Sequence, residues 1–235
     1  IMSTGIIKEI FTGKVTTYGD NREENKFDQE WETAAFKTPI TESVFLDTLG
    51  LKGDEQADKR HHGGVDKALF VYARKHYEDW SVELGKEVKP GANGENISVV
   101  GMDESDVCIG DVYMLGKAQI EITQPRRPCW KPARRLRDVE FAKKVEATGR
   151  TGWYFKVLVP GEIKPGDTFI LLERKYPNWT IEKINDVLYK YTDNIGLMES
   201  LCDVEILPTS FRELFMKRLK GEDVDDTRRH YGPNI

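Results

Sequence analysis

Up to about residue 174, β-branched and aromatic residues cluster in short stretches separated by turn signals. Residues 5–10, 14–17, 43–46, 68–72, 96–99, 107–115, 118–123, 153–159 and 168–172 all read as strands on this pattern. Leu115-Gly116-Lys117 and the Pro/Gly-rich run from Pro160 to Asp167 mark two of the turns. Two stretches have helical spacing instead. Residues 74–84 place Tyr77, Trp80 and Leu84 on one face, an aromatic stripe that reads as core, and residues 132–148 do the same with Leu136, Val139, Ala142 and Val145 before stopping at Gly149. From Tyr176 the period changes. Residues 180–191, 195–201 and 210–219 read as three short helices, the last opening on a Ser210-x-x-Glu213 capping box. The polar tail, residues 221–235, is expected to drape over the surface. Many strands and few helices predict a mixed, curled sheet or barrel with flanking helices. A small helical module follows it, with the division expected between residues 2–175 and 176–235. About 50–60 residues is small for independent stability, so this module is expected to pack on the barrel.

Composition narrows the class. Hydrophobic residues are 39% and charged residues 32% of 235 positions, as in an ordinary soluble protein, with no apolar run near the roughly 20 residues of a membrane span. No secretory signal is recognisable at the start. Three cysteines without a CxxC or zinc spacing suggest a reducing compartment, so a cytoplasmic location is expected. The net charge is −5, from 40 acidic and 35 basic residues, which argues against a nucleic-acid polymer as partner.

Against that acidic background, Arg126, Arg127, Lys131, Arg134, Arg135 and Arg137 crowd around Cys129, which Pro128 and Pro132 flank. Cations and a nearby helix N-terminus both favour a thiolate, a nucleophile and soft-metal ligand. Cys108, in an apolar strand pattern before a Gly-Asp turn, and Cys202, in an apolar helix, read as small buried hydrophobes. Arg134, Arg135 and Arg137 fall in the first turns of the expected helix, where the dipole opposes them by about a few tenths of a kcal/mol each. Either a bound anion relieves that conflict, or surface carboxylates such as Asp138 and Glu140 do.

Two further segments offer backbone to a ligand. Arg60, His61, His62, Gly63 and Gly64 precede a strand and combine charge with paired glycines; the competing reading is a solvated surface turn. The run from Pro90 to Ser98 is a glycine-rich bend entering a strand on which Asn96 and Ser98, two apart, would share a face. It fits neither a Walker A loop nor a dinucleotide fingerprint, and an ordinary turn is the alternative.

Taken in order, five stretches resemble a MOSC domain, and more closely the YiiM family. They are His62-Gly63-Gly64-Val65-Asp66-Lys67-Ala68, Gly91-Ala92-Asn93-Gly94-Glu95-Asn96-Ile97, Val107-Cys108-Ile109-Gly110-Asp111, Gln124-Pro125-Arg126-Arg127-Pro128-Cys129-Trp130-Lys131 and Gly149-Arg150-Thr151-Gly152-Trp153-Tyr154. Asn93 stands where that family often has an aromatic residue, and Ser98 where it usually has threonine. The resemblance implies a β-barrel of the pyruvate-kinase-like type plus a three-helix C-terminal domain. It also implies a bound molybdenum cofactor (molybdopterin), with Cys129 as metal ligand or sulfur carrier. Arg60, His62, Gly63, Gly64, Asn96, Ser98, Arg126, Arg127 and Lys131 are then the expected cofactor contacts. The implied activity is detoxifying reduction of N-hydroxylated bases, such as hydroxylaminopurines, to amines. The chain carries no iron–sulfur spacing and no flavin fingerprint, so a separate reductase is expected to supply electrons. Candidate general acids are His61, His62 and His76. A persulfide carrier, and a cofactor-binding protein without turnover, stand as alternatives.

Overall fold

The computed structural model describes residues 4–57 and 63–235. The strands are β1 (Ile6–Thr12), β2 (Thr16–Tyr18), β3 (Trp31–Thr33), β4 (Thr38–Ile40), β5 (Val44–Asp47), β6 (Gly50–Leu51) and β7 (Leu69–Ala73). After α1 (His76–Glu83) come β8 (Ile97–Val100), β9 (Val112–Leu115) and β10 (Ala118–Pro125). Then follow α2 (Trp130–Leu136), α3 (Phe141–Thr148), β11 (Trp153–Val159), β12 (Gly161–Ile163) and β13 (Phe169–Glu173). The chain finishes with α4 (Ile181–Tyr189), α5 (Ile195–Cys202), α6 (Thr209–Leu219) and α7 (Thr227–Tyr231). No helix among the described residues is long and apolar enough to cross a membrane.

Eight strands form the main sheet in the order β13-β9-β10-β11-β7-β8-β1-β4; β7 and β8 run parallel, and every other pair is antiparallel. The expected closed barrel is corrected here. The sheet curls until β1 meets the start of β13, where Phe169 N–H donates to the Gly5 carbonyl and Ile6 bridges Thr168. That contact is an isolated bridge, and β4 still lies beyond β1, so no continuous ladder closes the circle.

The two central strands explain why a site forms on one side. Side chains alternate between faces along a strand, and β7 and the first half of β11 are buried on both. Leu69, Val71, Trp153, Phe155 and Val157 enter a large core, while Phe70, Tyr72 and Tyr154 enter a second one. The large core runs without interruption into the apolar faces of α4, α5 and α6, including Ile184, Leu201 and Phe211. The second lies under α1, α2 and α3 and is mostly aromatic.

The helix expected over residues 132–148 is two. Arg137 adopts left-handed backbone (φ 53°) and ends α2, and its guanidinium is held by both oxygens of Asp28 at 2.5 and 3.1 Å. The chain therefore turns at Arg137 although the apolar spacing continues. The Ser210 capping box is also corrected: α6 starts at Thr209 with Pro208 at its N-cap and no side-chain cap. Of the segment expected as strand over residues 107–115, only β9 pairs as one; Cys108 to Asp111 form a turn.

Candidate functional site

Six segments meet above the second core. The β3–β4 connection brings Thr33, Ala34, Ala35 and Lys37, and the chain after β6 brings Asp54 to Ala57. Lys67, Phe70 and Tyr154 come from the entry to β7 and from β11, and Asn93, Gly94 and Asn96 from the bend before β8. Arg126, Cys129, Lys131 and Pro132 complete the lining from the β10–α2 junction.

That junction sets the thiol. Arg126 N–H donates to the Gly152 carbonyl at 3.1 Å, prolonging the β10–β11 ladder by one bond. Gly152 has φ +67°, and a Cβ there would lie 2.5 Å from the Val71 carbonyl, so only glycine lets the strands approach. The chain then turns, and Cys129 occupies the N-cap of α2 with extended backbone. The residue is 7% exposed, and its sulfur lies 3.8 Å from Nη2 of Arg126, which lies over the Phe70 ring at 4.9 Å. Burial works against the Arg126 charge, yet its proton is held more tightly than usual because Cys129 and Tyr154 face it. Tyr154 is buried, and burial raises its phenol above the ordinary range.

A second buried charge group stands across the pocket. Lys37 pairs with Asp54, their side chains 6% and 2% exposed. Asp54 also accepts from Gly13 N–H at 2.8 Å and from the Asn96 amide at 2.8 Å. Asn96 in turn accepts from Phe70 N–H at 3.1 Å. Asn93 is 3% exposed, and neither its amide oxygen nor its nitrogen has a hydrogen-bond partner. An unsatisfied buried amide costs about 1–3 kcal/mol.

The structure brings Asn96, Arg126, Cys129 and Lys131 together, as expected of one pocket. Gly63 is half-buried and Gly64 exposed with φ 95°, and neither lines it; Lys67, three residues on, does. Ser98 is fully buried, its hydroxyl unpartnered, and away from the lining. Arg127 points outward to Asp226 (2.9 and 3.0 Å). Arg60, His61 and His62 lie outside the described residues. His76 is buried against Glu104 at 2.7 Å and does not line the pocket.

Of the basic run after Lys131, Arg137 pairs with a surface carboxylate as the second expectation had it, though with Asp28 rather than Asp138 or Glu140, while Arg134 and Arg135 follow neither expectation. α2 is so short that Arg134 and Arg135 fall in its last turn. Arg134 donates to the carbonyls of Lys26, Phe27 and Gln29, and Arg135 to those of Ala35 and Gly91 at 2.5 Å each. Arg135 thus ties the pocket-lining Ala35 loop to the bend at Gly91, while Arg134 fastens the 26–29 segment, which lies outside the lining. Among the described residues, no group of three or more His, Cys, Asp and Glu could hold a metal ion by itself. Sequence reasoning missed Lys37, Asp54, Lys67 and Tyr154 as lining, and noted Asn93 only as a departure from the family pattern. Lys37 and Asp54 sit in loops without a motif, so only the fold reveals them.

Comparison with known proteins agrees with this architecture. The MOSC domain description matches residues 58–169, and the YiiM-like 3-alpha helix domain matches residues 179–222. The protein YflK of Bacillus subtilis is 38% identical over 187 residues, covering 80% of this chain and 85% of its own. A protein of Gibberella moniliformis named "Reductase" is 35% identical over 196 residues, which is 82% of this chain but 35% of that longer one. The crystal structure of YiiM from Geobacillus stearothermophilus superimposes with a TM-score of 0.75 at 32% identity, covering 92% of this chain and 99% of that one.

Proposed function

We propose a function from one premise, that this chain belongs to the YiiM family of MOSC-domain proteins. In this proposal it is a molybdenum-cofactor-dependent reductase of N-hydroxylated bases or related N-oxygenated compounds. The observation that carries the reading is the pocket's donor set: one thiol beside a buried arginine, three further cations in Lys37, Lys67 and Lys131, and the orphaned Asn93 amide. A soft sulfur suits molybdenum, clustered cations suit a pterin phosphate, and an unpartnered amide suits the polar edge of a heterocycle. The fungal relative named "Reductase" is consistent with redox chemistry in this family.

Cys129 would hold the metal, and Arg126, Lys131 and Asn96 would hold the organic part, joined by Lys37, Lys67 and Asn93. Arg60 and His62 belong to the proposed contacts on the sequence alone. When bound, the cofactor supplies the two-electron couple that the reaction needs. Conversion of R–NHOH to R–NH2 consumes two electrons and two protons and releases water. The chain's own part is to orient the substrate and hold protons, and Tyr154 offers a phenol that burial keeps protonated. A separate reductase would return the electrons.

The test is molybdenum-dependent reduction of a hydroxylaminopurine with an artificial electron donor, comparing wild type with Cys129→Ser. Loss of turnover with the fold intact is expected; equal rates would reject the thiolate's role. A wild type that retains the cofactor but never turns over would instead favour the persulfide-carrier or cofactor-binding alternatives.

A further inference from the structure

The residues on either side of Cys129 are gripped by a segment a hundred positions later that neither family description covers. Arg127 is held by Asp226 through Nη2 at 2.9 and 3.0 Å. The Pro128 carbonyl accepts from Nη1 of Arg229 at 2.6 Å. The Trp130 carbonyl accepts from the Asn234 amide at 3.1 Å, and the Trp130 indole lies so close to Gly232 that a Cβ there would be 2.4 Å from the ring. Positions 127, 128 and 130 are therefore all tied to residues 226–234, and position 129 lies between them.

Arg229 is the centre of this grip. It also pairs with Asp226 at 2.8 Å and with Glu146 of α3 at 2.7 Å, and Glu146 meets His230 at 3.0 Å. Its side chain is only 18% exposed, so it is locked in place by carboxylates on two elements. The Pro128 carbonyl and the Cys129 N–H share one rigid peptide plane. Fixing the carbonyl fixes where that plane delivers the Cys129 Cα, and hence the distance from its sulfur to Arg126.

We propose that residues 226–234 form a strap that positions Cys129 from outside the pocket, with Arg229 as the positioning residue. This rests on the reading of Cys129 as the reacting thiol, but its test needs neither cofactor nor turnover. The measurement is the rate of Cys129 alkylation by anionic iodoacetate relative to neutral iodoacetamide, with each cysteine followed by mass spectrometry. The ratio reports how close the cationic Arg126 sits to the sulfur, a quantity that overall stability does not move. A unit charge near 4 Å in water is worth about a factor of five. Arg229→Met is therefore expected to lower the ratio by about that much, with Arg229→Lys restoring part of it. Cys108 should stay unlabelled throughout, which shows that the fold is kept. Gly232→Ala gives a second route, since its methyl group displaces the strap from Trp130 while leaving every charge in place, and the ratio should fall again. An unchanged ratio in folded Arg229→Met overturns the strap; if that variant labels at Cys108, Gly232→Ala decides by the same criterion. Loss of reductase activity in Cys129→Ser is read separately, so failure of one idea leaves the other standing.

Discussion

Cys108 and Cys129 are both buried, but they face charges of opposite sign. Cys108 is fully enclosed in a tight turn whose Asp111 accepts from its own N–H at 2.8 Å and from Arg174 at 2.7 and 2.9 Å. Burial, and then the Asp111 charge, push that thiol up to about 11. Cys129 is nearly as enclosed, yet it opens on a pocket and has a guanidinium at 3.8 Å. The lesson is that enclosure alone does not separate a structural thiol from a chemical one. The sign of the nearest charge does.

The largest effect that could break this contrast is in activity. Outer-shell changes at metal sites cost about 10–100-fold, so removing the sulfur in Cys129→Ser is expected to exceed that, while Cys108→Ser retains activity in the same assay. Next is stability. Asp111→Ala strips the partner from Arg174 and from the Cys108 turn, and should cost about 3–5 kcal/mol in denaturant unfolding. A loss below that range would mean that the turn is not an anchor. Smaller again is Cys108→Ser, which buries a hydroxyl where the thiol reaches the Pro177 carbonyl only at 3.7 Å, for about 1–3 kcal/mol; Cys129→Ser, facing a polar pocket, should cost less. Of similar size is the effect of pH. The Cys108 thiol ionises later in the folded chain than in the unfolded one, so above pH 9 the unfolded state has fewer bound protons. Stability should then fall as pH rises from about 9 towards 11. Cys108→Ala should flatten that slope and Cys129→Ala should not, as alkaline melting curves would show.

How much of this was legible beforehand depended on range in sequence. Residues 153–159 form a strand with the expected limits because alternation and turns are local signals. That Cys129 sits beside a cation was legible from its arginine and proline neighbours, and Arg126 lies 3.8 Å from its sulfur. The helix break at Arg137 was not, because the apolar spacing runs on past it, and its partner Asp28 lies 109 positions away. Lys37 and Asp54 were equally silent, since each becomes meaningful only when two loops fold against Asn96. The tail read as polar surface, although Asp226, Arg229 and Asn234 are bound to the Cys129 loop. In a polar stretch, an intramolecular partner and a water molecule leave the same trace in the sequence.

That tail also sets a timetable. Its bond from Arg229 to Pro128 joins residues 101 positions apart. Ribosomes add about 5–20 residues per second, so the loop carrying Cys129 is made roughly 5–20 s before the residues that hold it. During that interval the thiol is in a half-built wall, and whatever enters the pocket then meets a different doorway from the finished one.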